Sequence, residues 1–142
     1  MPIRVTAYNL KLSSIQLTTP ALMRAIGDLG VEDIVERTRS GRDKDGSGFT
    51  AYSPGYAIAK TKAGASATPV NLTGWRAGVR MLDTIQVLRA TDRTATIGFV
   101  TARKAEIATY HLGEGRVLRD FFDLSKGFAD RVAAKILASW HF

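Results

Sequence analysis

The loop from Asp43 to Gly48 holds the residue types that come closest to a metal site. Asp43, Asp45 and Ser47 alternate along the chain, as the first oxygen ligands of an EF-hand calcium loop do. The glycine of such a loop has its counterpart in Gly48. The pattern then fails, because Pro54 stands where a calcium loop needs its bidentate glutamate. We therefore interpret this stretch as a polar turn and predict no metal site in it.

The other polar residues form no catalytic pattern. The chain has no cysteine, which excludes disulfides, thiolate nucleophiles and cysteine-ligated zinc or iron–sulfur sites. Its two histidines, His111 and His141, are not accompanied by ligands or triad partners at the usual spacing. Glu106 and Glu114 are better explained as solvated carboxylates near turns than as an acid–base pair. We predict that the protein is not an enzyme and needs no metal or cofactor.

Helix-start signals predict a long first helix. Thr19 suits the N-cap and Pro20 the first position of an amphipathic helix that runs to about Arg39. Gly27 and Gly30 weaken this helix, because glycine is a poor helix former.

Further helices are predicted later in the chain. A short one opens at Pro54, and another covers residues 102–111. A last helix begins with Ser125 as its N-cap. Its apolar stripe has the four-residue spacing of one helix face and comprises Phe128, Val132, Ile136 and Trp140.

Alternating apolar and polar residues predict strands at 3–9, 83–89 and 94–100. The last two form a hairpin, and residues 10–18 form either a second strand or an extended arm. The sequence therefore predicts a single α+β domain over 1–142, with a small antiparallel sheet packed against two longer helices and with long loops. The segment 1–18 is its strand or arm, and no apolar run approaches the roughly 18 residues that a membrane span needs.

Positive charge is concentrated in the middle of the chain. The formal net charge is +7, and residues 37–89 hold nine basic and three acidic side chains. Such an excess fits either a generally basic surface or a dedicated patch that faces an anionic partner.

Nine short motifs follow one another along the chain. They are Arg37-Thr38-Arg39, Gly41-Arg42-Asp43-Lys44-Asp45-Gly46, Phe49-Thr50-Ala51-Tyr52-Ser53-Pro54, Tyr56 with Lys60-Thr61-Lys62-Ala63-Gly64, Leu72-Thr73-Gly74, Arg80-Met81-Leu82-Asp83-Thr84-Ile85, Ile97-Gly98-Phe99, Ala108-Thr109-Tyr110-His111-Leu112-Gly113 and Arg119-Asp120-Phe121-Phe122-Asp123-Leu124-Ser125.

This order resembles the virion-morphogenesis and tail-completion proteins of tailed phages, which are small α+β components of the neck. The likeness covers roughly residues 19–142. It departs from the family pattern at residues 74–80, where the block is longer than usual, and at Asp120 and Phe122. The segment 1–18 is also shorter than in many members or different from them. The resemblance implies a structural protein of the virion, made in the host cytoplasm, that joins head and tail without contact with a membrane.

The same resemblance implies a homo-oligomeric ring, a hexamer or dodecamer, that binds neighbouring neck and tail proteins. A tail terminator or head–tail adaptor of the same neck is the alternative. In such a ring, residues 1–18 could add a strand to a neighbouring subunit. A different class, a small basic nucleic-acid-binding protein, would use the aromatic and basic residues of 52–62, although no RNP or helix-turn-helix motif occurs.

Two groups of residues are candidates for the interfaces of this ring. The aromatic candidates for anchors of a protein–protein interface are Phe49, Tyr52, Tyr56 and Trp75. The alternative for Phe49, Tyr52 and Tyr56 is that their side chains fold back and cover the hydrophobic core. The basic candidates could face either the DNA channel or an acidic partner ring. We prefer the acidic partner ring, because a channel through which DNA slides should not bind the DNA tightly. The basic candidates are Arg37, Arg39, Arg42, Lys44, Lys60 and Lys62.

Overall fold

A computed structural model describes residues 2–6, 19–68, 70–72 and 80–139. Three strands and four α-helices occur in this part of the chain, in an α+β arrangement as predicted. A short 3-10 helix, Met81–Thr84, leads into the second strand, and the turn Tyr110–Glu114 extends the third helix. The elements are β1 (Ile3–Thr6), α1 (Pro20–Arg39), α2 (Pro54–Lys62), β2 (Ile85–Ala90), β3 (Thr94–Phe99), α3 (Ala102–Thr109) and α4 (Phe128–Ser139).

The long helix α1 begins and ends where the sequence predicts. The hydroxyl of Thr19 accepts a hydrogen bond from the backbone N–H of Leu22 at 3.1 Å, which caps the first turn. Both glycines of α1 serve its packing on the sheet. A β-carbon at Gly27 would lie 2.7 Å from a methyl group of Val87, and the corresponding atom at Gly30 would lie 2.8 Å from Ile97. The helix therefore approaches the sheet closely at the cost of some helix propensity.

The sheet has the strand order β1-β3-β2, and both pairs are antiparallel. The predicted hairpin is confirmed, with Val87 opposite Ile97 and a register irregularity between Val87 and Arg89. Ile3 of β1 pairs with Ile97 on the other side. The predicted first strand is confirmed over residues 3–6, and the predicted second strand or arm at 10–18 lies outside the described residues.

The core lies between the sheet and α1 and continues to α4. Met23 and Ile34 of α1, Ile97 of β3 and Phe121 are fully shielded from solvent. The predicted stripe of α4 is buried at its first three positions, and Trp140 lies outside the described residues. The sheet packs against α1, and α4 packs beside α1.

The prediction that Ser125 caps α4 is wrong. The helix begins three residues later, at Phe128. In the part of the chain that the structure describes, no helix is long and apolar enough to cross a membrane.

Candidate interaction surface

The six basic side chains predicted to share one surface are separated by the fold. Lys60 is only 1% exposed, and the Arg37 side chain is 10% exposed. Arg37 donates through Nη2 to the backbone carbonyl oxygens of Phe121, at 3.0 Å, and of Asp123. The prediction of an exposed basic surface is therefore wrong for Arg37 and Lys60, because both side chains hold segments of the fold together from inside.

Lys44 stays at the surface but is neutralised within the chain. Its ammonium nitrogen lies 3.4 Å from a carboxylate oxygen of Asp120 and 3.3 Å from one of Asp123. The hydrogen bonds to Asp123 and Asp120 raise the pKa of Lys44. Lys44 thus fixes the loop beside α1 to the segment before α4.

The remaining basic residues differ in how much of their charge is available to a partner. Arg39 lies 3.3 Å from Asp83, and Arg42 donates to the carbonyl oxygen of Gly46 at 2.8 Å. Lys62 is exposed, and no carboxylate of the described residues lies within 4.0 Å of it. Among the six candidates, Lys62 is therefore the cation best placed to meet another molecule.

The candidate aromatic residues are also divided between core and surface. Phe49 packs against the hydrophobic core, and Tyr52 is half-buried. Tyr56 is 40% exposed. Phe49 and Tyr52 therefore fit the alternative in which the aromatic side chains cover the core. Tyr56 fits the alternative in which it is an anchor for a partner. Trp75 lies outside the described residues.

Tyr52 is the centre of a cluster that attaches α2 to the rest of the fold. The ammonium of Lys60 lies 4.8 Å from the centroid of the Tyr52 ring, and the guanidinium carbon of Arg119 lies 5.2 Å from it. The Tyr52 hydroxyl accepts hydrogen bonds from the N–H of Leu72 at 3.2 Å and from Lys60 at 3.4 Å. The ring of Tyr56 packs on Tyr52 with 4.8 Å between centroids. We call Tyr52, Lys60 and Arg119 the Tyr52 clasp.

Arg119 connects this cluster to the backbone before α2. Its Nε donates to the carbonyl oxygen of Thr50 at 3.0 Å, and its Nη2 donates to that of Ala51 at 3.2 Å. The motif that begins at Arg119 and the motif that contains Tyr52 therefore contact each other directly, although more than 60 residues separate them in sequence.

The Tyr52 clasp has two cations and no carboxylate. All 13 Asp and Glu residues of the chain lie within the described ranges, and none comes within 4.0 Å of Lys60 or Arg119. Burial lowers the pKa of Lys60, because desolvation disfavours the charged ammonium. The aromatic ring and the backbone carbonyls supply the compensating negative potential.

A second network, centred on Asp33, joins α1 to the segment before α4. Asp33 accepts hydrogen bonds from the N–H of Ser125 at 2.8 Å and from its hydroxyl. Arg131 lies 3.2 Å from Asp33, and Arg37 lies 3.9 Å from it. The sequence does not predict this role of Asp33. Its partners other than Arg37 are about 90 residues away in the chain, and no local pattern indicates them.

The loop that begins like an EF-hand is a polar turn, as predicted. One carboxylate oxygen of Asp43 accepts hydrogen bonds from the N–H groups of Asp45 and Ser47, both at 2.9 Å. The described residues contain no group of three or more His, Asp or Glu side chains that could hold a metal ion.

A groove between α1 and α4 was not predicted from the sequence, because it requires both helices in place. Leu29, Phe128 and Val132 form its apolar floor. The polar residues along it are Glu32, Asp33 and Glu36 on α1 and Arg131 and Lys135 on α4. The groove is open to solvent rather than enclosed, so side chains of another protein segment can reach its apolar floor.

The helix α2 presents apolar surface to solvent. Ile58 is 56% exposed, and Lys60 is the single buried residue of this helix. In the described part of the chain, α2 makes no extensive contact with another helix or strand, and Tyr52 contacts it through both Lys60 and Tyr56.

Comparisons of the chain with protein-family models, with curated proteins and with solved structures give no significant match. The resemblance to phage tail-completion proteins therefore stays a prediction from the sequence.

Proposed function

We propose that this chain is a structural protein of a tailed-phage virion, a tail-completion or head–tail joining component that forms a ring at the neck. The ring is a homo-oligomer that contacts neighbouring neck and tail proteins and assembles in the host cytoplasm. A tail terminator or head–tail adaptor of the same neck is the alternative.

The exposed α2 carries this proposal. A helix of nine residues that buries one side chain contributes little to the core and leaves an apolar and basic face outward. Apolar residues on such projecting elements are typical anchors of protein–protein interfaces. The Tyr52 clasp supports the same interpretation, because it fixes α2 in one orientation before any partner binds, which lowers the entropic cost of docking.

The resemblance adds the context of the virion. Its motifs supply the Tyr52 clasp and the contact of Lys44 with Asp120 and Asp123. These residues fix the conformation of the loops, so the motif positions stabilise the fold. The surface residues between the motifs can differ from one protein to another and match a specific partner.

The placement of the six basic candidates favours protein partners over DNA. Of the six basic candidates, Arg37 and Lys60 are buried, and Lys44 and Arg39 pair with carboxylates. Non-specific DNA binding depends on many exposed cations that contact phosphates, and few of these candidates remain available for it. We therefore propose that the exposed face of α2 binds protein.

A complementation experiment tests the proposed function. The gene is deleted from the phage or prophage that encodes it, and particles are inspected by electron microscopy. We expect filled heads and separate tails, and we expect purified protein to restore joined, infectious particles in the lysate. Joined and infectious particles without the gene would contradict the proposal. The variant Asp92→Asn, in the hairpin turn, is the control and should restore joined particles as well as the original protein does.

A further inference from the structure

The outward face of α2 combines an apolar side chain with a cation. Ile58 and Lys62 are four residues apart, so they lie on the same face of the helix, about one turn of 5.4 Å from each other. Lys60 lies on the opposite face and is buried. Ile58 and Lys62 are both exposed, and they form the ridge that α2 offers to a partner.

This ridge lies in a stretch of uniformly positive charge. No aspartate or glutamate occurs between Asp45 and Asp83. A partner of α2 therefore meets an apolar side chain beside a positive charge, with no acidic side chain of this stretch to repel a carboxylate.

The groove between α1 and α4 has the complementary character. Its floor is apolar, and Glu32 and Glu36 lie exposed along the α1 side. Neither carboxylate lies within 4.0 Å of a basic side chain in the described ranges. Across the groove, Arg131 is already paired with Asp33 at 3.2 Å, and Lys135 also lines the wall. The unpaired charges of the groove are therefore Glu32 and Glu36 on the α1 side and Lys135 on the α4 side, an excess of one negative charge among the described residues.

The spacing of the two surfaces also agrees. On α1, Leu29 is about one turn from Glu32 and about two turns from Glu36. A helix laid along the groove can place Ile58 on the apolar floor while Lys62 reaches one of these carboxylates. We infer that α2 of one copy docks in the α1–α4 groove of a second copy of the chain.

This inference rests on the proposed function, because it supplies the contact from which the ring is built. The two surfaces are different parts of one chain, so their contact is heterologous. A heterologous contact leaves one free α2 and one free groove on each pair, and repetition closes a ring when the rotation per subunit fits. The two unpaired carboxylates on the α1 side favour a protein segment over nucleic acid as the occupant.

Charge reversal tests the contact in solution. We expect Lys62→Glu and Glu36→Lys each to weaken self-association about tenfold, because a favourable pair becomes a repulsive one. The double variant restores the opposite charges, and its dissociation constant should lie within about threefold of the original. Sedimentation velocity over a concentration series measures these constants, and Arg93→Glu in the hairpin turn serves as a matched control.

Cysteine cross-linking tests the geometry independently. Because the chain has no native cysteine, one chain with Ile58→Cys and a mass-tagged chain with Glu32→Cys can be mixed and treated with a short bismaleimide. We expect the mixed dimer to form faster than with Arg93→Cys in place of Ile58→Cys. Circular dichroism checks that each variant is folded, as expected for substitutions at exposed positions.

The inference is overturned if the original chain stays monomeric up to its solubility limit and Ile58→Cys gives no preferential cross-link. It is also overturned if the chain self-associates and both charge reversals leave its dissociation constant unchanged. The complementation experiment reports on the proposed function separately, since joined particles can depend on the chain even when this contact does not exist.

Discussion

Replacing Tyr52 by phenylalanine removes one oxygen atom that accepts two hydrogen bonds. One donor is the backbone N–H of Leu72, a residue that is 8% exposed, and the other is the ammonium of Lys60. The aromatic ring remains, so its contacts with both cations of the Tyr52 clasp are kept. The substitution therefore isolates the hydrogen bonds from the packing.

The expected loss follows from what becomes of each donor. A buried N–H without an acceptor costs about 1–3 kcal/mol. The bond from Lys60 is long, at 3.4 Å, and its loss adds up to about 1 kcal/mol. We expect Tyr52→Phe to lower the free energy of unfolding by about 1–4 kcal/mol in total, which is equivalent to a fall in Tm of roughly 3–13 °C for a domain of this size.

Urea denaturation followed by far-UV circular dichroism measures this loss. Tyr110→Phe is the matched control, because Tyr110 is 51% exposed, and we expect its effect to stay within about 0.5 kcal/mol. The variant Lys60→Met replaces the buried cation by an apolar chain of similar length. We expect the double variant of Tyr52→Phe and Lys60→Met to cost less than the sum of the two single variants, because both remove the same hydrogen bond.

A loss of less than about 0.5 kcal/mol for Tyr52→Phe, equal to that of the control, would refute the role that we assign to the hydroxyl. Additive effects of Tyr52→Phe and Lys60→Met would refute the direct coupling of Tyr52 with Lys60.

Three further predictions concern α1 and the turn after α3. Gly30→Ala should lower the free energy of unfolding by about 1–3 kcal/mol, because its β-carbon would lie 2.8 Å from a core methyl group; Gly55→Ala, where the β-carbon meets nothing within 4 Å, is the control in the same thermal melts. Asp33→Asn should cost about 1.5–3 kcal/mol in urea titrations, because it removes the charged acceptor of Ser125 and Arg131. An effect no larger than that of the exposed Asp28→Asn would contradict this. Burial lowers the pKa of His111 below its ordinary 6.5, so the unfolded chain binds the proton more readily, and stability should fall as the pH drops from about 6.5 through the lower folded pKa. His111→Gln should remove that part of the pH dependence of stability in thermal melts between pH 7 and pH 4. If the variant shows the same dependence of Tm on pH as the original chain, this role of His111 is wrong.

The helices and the hairpin could be predicted because their signals are local. Thr19 caps α1, and the alternation around Val87 and Ile97 marks the two strands of the hairpin. The two glycines of α1 illustrate the limit of such signals. Helix propensity alone indicates that these glycines weaken the helix. They are needed for close contact with the sheet, and that contact involves residues about 60 positions away in the chain.

The candidate site could be predicted only in part, because burial of charged groups is decided by tertiary structure. Lys60 and Arg37 are of types that are almost always exposed, so a basic surface was the natural expectation. Their partners, Tyr52 for Lys60 and the carbonyl oxygens of Phe121 and Asp123 for Arg37, come together only in the folded chain. The exposed Ile58 and the groove between α1 and α4 likewise appear only when the helices are placed.

The proposed place of the chain at the neck of a tailed-phage virion is tested most directly by cryo-electron microscopy of particles produced from the genome that carries its gene. We expect a ring of density at the junction of head and tail that fits copies of the α+β domain, together with the chain's peptides in mass spectra of the same particles. Particles that contain no copy of the chain, or that carry it anywhere other than the neck, would contradict the claim.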